Sequence, residues 1–279
     1  MTGAEHAVFA QAPLEGEVAL STGSAPTPYH VYDGHGLLLV GTCDATALEP
    51  SFTGQDVSPV LTASGQGVLI LFVCNFNEAS HGPHLEFHVT ALAAPKAGTQ
   101  ITDDPAAALT ALAVQRDWGV LSLHLWNDSE AVVAYNSEYL GLQARQCRGK
   151  MAVGASAVSF DFSDAQGAPL VAGTIRRKGR SDAGLMWRVL RNLGWSGLRD
   201  AVRRKPNVAH VINRKGNVIP RNGRAQTLTA PDKMIVTAFD PEKDHLDLDQ
   251  GVLAHYAFRP RIAEHLWPFR FVYLHPDAS

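Results

Sequence analysis

The chain has 279 residues, of which 46% are hydrophobic and 18% charged, and its formal net charge is −3. This length and composition suit one large or two smaller globular domains, and the slight acidity gives no global attraction to nucleic acid or to a membrane surface. The cysteines Cys43, Cys74 and Cys147 form no CxxC pair, so neither a disulfide framework nor a structural zinc site is expected. Since no basic start is followed by an apolar run, and no apolar stretch reaches about eighteen residues, we expect a cytoplasmic protein.

In chain order, the predicted elements are mostly strands. Residues 1–27 mix small residues and proline without a sustained period, and are expected to form a flexible lead-in to a single domain over residues 28–279. Apolar runs and alternating patterns predict strands over residues 36–43, 67–76, 84–92, 150–163, 168–177, 233–240 and 251–260, with a turn at 165–167.

Helices are expected at three places. Asp104 can cap and Pro105 can open a helix that ends near Gly119. A second helix is expected over residues 129–141, and a basic helical insertion near residues 181–206. Because strands dominate and helices do not alternate with them, the pattern favours an α+β fold with an antiparallel sheet or a β-barrel over a doubly wound parallel sheet.

The middle of the chain is basic. Residues 176–224 contain fourteen Lys or Arg and two acidic residues, Asp182 and Asp200. The simpler interpretation is a surface helix with a solvated basic face. The alternative is a dock for an anionic group, such as a carboxylate or phosphopantetheine substrate or an acyl carrier protein. Nucleic acid is not expected as a partner because no binding motif of that kind is present.

One polar stretch concentrates titratable side chains within eleven positions: Glu78, His81, His84, Glu86 and His88. On a strand, the last three point to one face, about 6.8 Å from one to the next. This pattern is compatible with a metal site, an acid/base pocket or a merely structural polar face.

A metal site is disfavoured by the spacing in this stretch. His84 and His88 would lie roughly 13 Å apart on a regular strand, so one ion would need ligands from elsewhere, such as His124 or His255. No metal is therefore expected. Glu78 and His81 precede an interrupting Gly-Pro pair and would lie at a strand end, where pockets are often lined.

Four segments resemble the acetoacetate decarboxylase family. PYHVYDGHGLLLVGTCD (28–44) resembles its N-terminal strand region, and NFNEASHGPHLEFHV (75–89) the segment around a functional glutamate. WNDSEAVVAYNSEYLGLQARQ (126–146) resembles the helix and turn that present its reactive lysine, and residues 239–274 resemble its final strands. The likeness covers most of residues 28–274.

The resemblance fails at the reactive lysine. In the family, a lysine of a Pro-Lys-Lys turn forms a Schiff base with a β-keto acid. Ala144 stands at the matching position, and Gly34 stands where the family has an active-site arginine. Alanine cannot form an imine, so only a relocated lysine, Lys150, would restore that chemistry. Glu78 alone matches a functional residue of the family.

The resemblance implies a cone-shaped antiparallel β-barrel with flanking helices around an interior cavity, and a tendency to form homo-oligomers. Desolvation in such a cavity would raise the pKa of a glutamate and suit it to proton transfer. The expected catalytic residue is Glu78, and the expected substrate-binding residues are His81, His84, Glu86, Glu138 and Arg145.

Two functional hypotheses follow. The first is a cofactor-independent enzyme that enolises, dehydrates, isomerises or cyclises a carbonyl compound, such as a polyketide-like metabolite, without a Schiff base. The second is a non-catalytic protein that binds a small ligand in the same cavity, because a lost nucleophile is also what a retired enzyme would show.

Overall fold

The structure is a computed structural model that describes residues 6–115, 117–203, 207–212, 224–247 and 251–274. The strands of this part are β1 Gly16–Leu20, β2 Gly23–Thr27, β3 Tyr29–Cys43, β4 Ser58–Pro59, β5 Leu61–Thr62, β6 Gly67–Ala79, β7 His84–Ala94, β8 Gln100–Ile101, β9 Gly119–Asn127, β10 Ala144–Val153, β11 Ala157–Asp164, β12 Pro169–Arg176, β13 Asn207–Ile212, β14 Arg224–Thr229, β15 Lys233–Ala238, β16 His245–Leu246, β17 Arg259–Trp267 and β18 Phe271–Tyr273. The helices are α1 Ala7–Ala10, α2 Glu49–Phe52, α3 Ala106–Val114, α4 Glu130–Ala134, a π-helix Tyr135–Tyr139, α5 Ala183–Arg203 and α6 Gly251–Tyr256. None of these helices is long and apolar enough to cross a membrane.

A large mixed sheet dominates the fold. Its central strands β17, β3, β6, β7 and β9 pair in that order, each antiparallel to the next. Three other pairings are parallel: β10 with β9, β13 with β9, and β5 with β8. The predicted α+β class with flanking helices is confirmed, but the sheet is mixed and not purely antiparallel. Narrow pairings of two or three residues join β13 to β9, β14 to β18 and β18 to β3, and the predicted barrel or cone shape is not confirmed.

Both faces of the central strands are buried. Along β6, Leu69 and Leu71 pack into one hydrophobic core, whereas Ile70 and Cys74 pack into a second. Successive side chains of a strand point to opposite faces, so a continuous apolar run is what a doubly covered strand requires. This explains why the predicted strands over residues 36–43 and 67–76 are confirmed.

The helix predictions are confirmed with different ends. Asp104 accepts a hydrogen bond from the backbone N–H of Ala106 at 3.0 Å and so caps the start of α3. The helix ends at Val114, before Gly119, where β9 begins. The helix predicted over residues 129–141 is α4 followed by the π-helix, and it closes before Gly141, whose φ is +70°.

The strand predictions contain one error of type. Residues 251–260 were expected to form a strand, but the first six form α6 and a strand begins only at Arg259. The apolar residues Leu253 and Tyr256 are three positions apart and both are buried, which is helical spacing. Residues 150–163 form parts of two strands, β10 and β11. The turn at 165–167 is confirmed by the bond from Gly167 N–H to the carbonyl of Asp164.

The N-terminal segment contains more structure than the expected lead-in. Within residues 6–27, α1 buries Val8 and Phe9, and β1 and β2 form a hairpin. The ring of Phe9 lies 4.9 Å from the ring of His30 in β3. The expectation that order begins near residue 28 is therefore wrong for the described part of this segment.

The basic helix is present as α5, which begins at Ala183. Leu185 faces the core, whereas Trp187 is 67% exposed. Arg188 lies 3.8 Å from a carboxylate oxygen of Asp104, next to α3. Lys205 and Pro206, where the predicted helix ends, lie outside the described residues.

Gly41 is required by the close contact between β3 and β17. A Cβ at this position would lie 2.2 Å from the carbonyl oxygen of Arg259, beside an irregularity in the pairing between Pro260 and Ile262. We expect Gly41→Ala to lower the free energy of unfolding by about 2 kcal/mol, because the backbone of β17 must shift. Urea denaturation measures this change. The control is Gly16→Ala, whose Cβ meets no atom within 4 Å; equal losses in the two variants would contradict the assignment.

Candidate active site

Strand β7 carries a polar row on its inner face. His84, Glu86 and His88 lie in register with Phe76, Cys74 and Phe72 of β6, and are 4%, 4% and 3% exposed. The one-face prediction is confirmed, and the row is buried, unlike an ordinary polar strand face in solvent. The ring Nε2 of His88 lies 2.9 Å from the hydroxyl of Ser122 on β9.

Glu86 is the carboxylate at the centre of this row. Its Oε2 accepts a hydrogen bond from Asn127 Nδ2 at 3.0 Å, and Asn127 Oδ1 accepts one from Asn136 Nδ2 at 3.0 Å. Burial raises the pKa of Glu86 to about 7, and the bond from Asn127 offsets only part of this effect. A carboxyl group with this pKa can both accept and release a proton near neutral pH.

Tyr29 and His84 form a hydrogen-bonded pair beside Glu86. The hydroxyl of Tyr29 lies 2.8 Å from His84 Nε2, and His84 Nδ1 lies 2.9 Å from the carbonyl oxygen of Gly82. Burial lowers the pKa of His84, which favours the neutral ring. Because a carbonyl only accepts, Nδ1–H donates to Gly82, and Nε2 then accepts from Tyr29. The pKa of Tyr29 is raised by burial and by the charge of Glu86, so its hydroxyl keeps its proton.

His81 forms the partly exposed side of the same cluster. Its ring stacks on Tyr29 at 4.7 Å between ring centres and lies 4.4 Å from the ring of Tyr135. Both tyrosines are fully buried, whereas His81 is half-buried. Its Nε2 has no hydrogen-bond partner among the described residues, and burial lowers its pKa to about 4. The neutral ring therefore carries one buried nitrogen without a partner in the described part of the chain.

Glu78, the predicted catalytic residue, does not lie in an apolar interior. It is exposed near the end of β6, in register with Asp33 of β3. The expectation that Glu78 lies in an apolar cavity is therefore wrong. Glu86, predicted only as a substrate-binding neighbour, has the buried environment that was expected of Glu78.

Two predicted substrate-binding residues lie away from this cluster. Glu138 is half-buried; it accepts hydrogen bonds from the backbone N–H of Ser21 at 2.9 Å and from the Ser21 hydroxyl, and so joins the β1–β2 hairpin to the π-helix. Arg145 is exposed and lies in register with Trp126, one position before the pair Gln146 and Asn127. It therefore points to the sheet face opposite to Asn127, the partner of Glu86.

The position of the family's lysine lies close to the interior but holds no reactive group. Ala144 packs against the second hydrophobic core, and its carbonyl accepts a hydrogen bond from the hydroxyl of Ser137. Lys150, the alternative nucleophile, has a side chain that is 80% exposed and lies 3.5 Å from Asp161. A Schiff base at Lys150 finds no support in this geometry, because a solvated ammonium is not activated.

Some residues of the cluster were missed from the sequence. Tyr29, Asn127 and Tyr135 are not among the site residues that the sequence predicts. Their chain positions are remote from the polar stretch. The pairing of β3 with β6, of β6 with β7 and of β7 with β9 brings Tyr29 and Asn127 to it, and the π-helix brings Tyr135. Among the described residues, no group of three His, Cys, Asp or Glu side chains is arranged to hold a metal ion.

A second buried glutamate, Glu264 of β17, provides a comparison. Burial raises its pKa to about 7 as well. It lies in register with Leu38 of β3, which pairs through Phe72 of β6 with His88 and not with Glu86. Within the described part of the chain, Glu264 forms no hydrogen bond with Tyr29, His84 or His81.

The raised pKa of Glu86 predicts a pH-dependent stability. A carboxyl that is harder to ionise in the folded state stabilises the fold fully below its ordinary pKa of 4.5, and this contribution is lost as pH rises through about 7. Gln cannot ionise. We therefore expect the free energy of unfolding of Glu86→Gln, relative to the unmodified protein, to increase by about 3 kcal/mol across this window. Urea denaturation at several pH values measures the difference, and a constant difference would contradict the raised pKa.

Comparisons with known proteins identify the fold. No protein-family model and no curated protein sequence matches the chain. The crystal structure of acetoacetate decarboxylase from Legionella pneumophila matches with a TM-score of 0.59 and 11% identity, over 100% of this chain and 96% of that one. A second acetoacetate decarboxylase structure matches with a TM-score of 0.54 and 12% identity, over 89% and 87% of the two chains. The enduracididine biosynthesis enzyme MppR complexed with pyruvate matches with a TM-score of 0.51 and 11% identity, over 93% and 96%. The chain therefore has the acetoacetate decarboxylase-like fold.

Proposed function

We propose that this protein is a cofactor-independent enzyme of the acetoacetate decarboxylase-like family that moves a proton at the carbon next to a carbonyl group. Glu86 is the proposed acid/base residue. The observation that carries the proposal is the burial of this carboxyl group, whose pKa is raised to about 7, beside the Tyr29–His84 pair. A pKa close to the working pH gives a general base its highest efficiency.

The proposed reaction uses proton transfer in place of an imine. Glu86 in its ionised form accepts the proton from the substrate carbon, and the electron pair of the broken C–H bond moves to the carbonyl oxygen. The resulting enolate oxygen accepts a hydrogen bond from the unpartnered ring nitrogen of His81. Protonated Glu86 then gives the proton to another carbon in an isomerisation, or to a departing hydroxyl group that leaves as water in a dehydration. In a cyclisation the enolate carbon attacks a second carbonyl group, and the proton goes to the oxygen of that group.

The proposed substrate is a carbonyl compound with a substantial apolar part. The ring of Phe76 lies 4.9 Å from that of His84, and the ring of Phe271 lies 5.7 Å from that of Tyr29, centre to centre. Phe269 packs behind them, 6.1 Å from Phe76. Such walls favour an extended or conjugated carbonyl compound, such as a polyketide-like metabolite, over a small hydrophilic acid. A keto acid, pyruvate, is bound to MppR, which shares the fold. Homo-oligomerisation and an acyl carrier protein at residues 176–224 remain predictions.

Substrate access is proposed to require movement of His81. Its ring is the partly exposed member of the stack with Tyr29 and Tyr135.

The second candidate is a ligand-binding protein without catalytic activity. The observation in its favour is that Glu86, Tyr29 and Tyr135 are buried by their own neighbours. Two surface cavities, which meet at Arg177 and Trp267, are lined by other residues.

Hydrogen–deuterium exchange on the substrate tests the enzyme proposal. The protein is incubated in D₂O with a panel of β-keto acids and 1,3-diketones, and proton NMR follows loss of the signal from the carbon next to the carbonyl. We expect catalysed exchange whose rate increases with pH up to about 7, where Glu86 becomes ionised, and then levels off. Glu86→Gln should slow the exchange at least about 100-fold.

The matched control is Glu264→Gln, which removes a second buried carboxyl group with a similar pKa on strand β17. It should show the same pH-dependent gain in stability as Glu86→Gln but leave the exchange rate unchanged. If Glu86→Gln catalyses exchange at the rate of the unmodified protein, Glu86 is not the acid/base residue. Compounds that raise the melting temperature without exchange or conversion would favour the ligand-binding protein.

A further inference from the structure

Two cavities open on the surface next to each other. The larger has a volume of about 620 Å³ and the smaller about 330 Å³. Arg177, directly after β12, and Trp267, the last residue of β17, line both of them. The two cavities therefore form one groove, the Arg177 groove, with the Arg177 guanidinium group at their junction. Their combined size suits a small organic molecule.

The larger cavity is rich in cations that have no acidic partner. Arg177, Arg180 and Lys233 line it, and none forms an ion pair with a carboxylate of the described residues. Two other charged groups of its wall are already neutralised: Lys178 donates to Asp182 at 2.7 Å, and Asp232 accepts from Arg270 at 2.7 Å. Three free cations around one cavity favour a ligand with more than one negative charge.

The aromatic wall holds the Arg177 side chain in place. Its guanidinium lies 4.3 Å from the centre of the Trp267 ring, and its Nη1 donates to the carbonyl oxygen of Gly154 at 3.3 Å. A cation over an aromatic face is attracted by the ring electrons, and a side chain held in advance loses less entropy on binding. The remaining N–H groups of the fork are left for an anion.

The smaller cavity contains an unpartnered buried histidine. His35 of β3 is 6% exposed, and its Nε2 has no hydrogen-bond partner among the described residues. Its ring stacks on Trp267 with 16° between the planes and 6.0 Å between the centres. A buried polar nitrogen without a partner is unfavourable, so a ligand group that pairs with it gains free energy.

We propose that the Arg177 groove binds the phosphate ester of a small molecule with an extended organic arm. The phosphate occupies the larger cavity, among Arg177, Arg180 and Lys233. The arm passes the junction into the smaller cavity and forms a hydrogen bond with His35. The forked guanidinium groups suit a phosphate because each can donate two parallel hydrogen bonds to its oxygens.

This site is independent of the proposed active site. His35 lies in register with Asn75, which also lines the smaller cavity, whereas Glu86 lies in register with Cys74. Neighbouring residues of β6 point to opposite faces, so the groove and Glu86 lie on opposite sides of the sheet. Binding in the Arg177 groove therefore does not depend on a catalytic role of Glu86.

Isothermal titration calorimetry with three probes tests the proposal: 4′-phosphopantetheine, pantetheine and inorganic phosphate. We expect 4′-phosphopantetheine to bind at least about tenfold more tightly than either of the other two, because only it offers both the phosphate and the arm. Its affinity should fall as salt is added, since Arg180 and Lys233 are exposed. Equal affinity for pantetheine, or no measurable heat with 4′-phosphopantetheine at about millimolar concentration, would overturn the proposal.

Variants then assign the contacts. Lys233→Met and Arg180→Met should each weaken 4′-phosphopantetheine binding by about tenfold. His35→Phe keeps the stacking on Trp267 and removes the ring nitrogens, so it should weaken 4′-phosphopantetheine while leaving inorganic phosphate unchanged. The control is Lys150→Met, which removes an exposed cation outside the groove. Unchanged affinity in both cation variants, with melting temperatures equal to that of the unmodified protein, would exclude this site.

Discussion

The structure depends on the burial of strand β6 on both of its faces. Leu69 and Leu71 enter one core while Ile70 and Cys74 enter the other, so the strand cannot shift by one residue without exchanging the two sets. The register of β7 follows from this constraint. It places Glu86 opposite Cys74, and a slip by one position would point Phe87 to the Glu86 side. Both the buried carboxyl group and the groove on the other side of the sheet rest on the same alternation.

Burial alone does not make a glutamate catalytic. Glu86 and Glu264 have pKa values raised to about 7 by the same cause. The difference lies in their surroundings. Glu86 lies in a cluster with a tyrosine–histidine hydrogen bond and an unpartnered histidine nitrogen, whereas Glu264 lies beside Leu38 on β3. Proton transfer to a substrate requires neighbouring groups that hold the substrate, and the proposed role of Glu86 rests on such groups.

The sequence was informative where one pattern decides one property. Alternation in HLEFHVTAL predicted that His84, Glu86 and His88 share a face, because that depends on local geometry alone. The choice between Glu78 and Glu86 depends on which end of the β6–β7 pair is covered, and this is a tertiary property. The strand predicted at residues 251–260 failed for a related reason, since a short apolar run fits a buried strand or one turn of helix equally well.

The N-terminal hairpin is also part of the wall of the candidate active site. The hydroxyl of Thr27 lies 3.0 Å from that of Tyr135, and Ser21 binds the Glu138 carboxylate three residues further along the same π-helix. A segment whose composition suggests a flexible lead-in therefore supports the Tyr135 ring, which contacts the ring of His81. Trimming the chain at Pro28 to improve crystallisation would detach this support, so that an inactive shortened protein would say nothing about the catalytic capacity of the natural one.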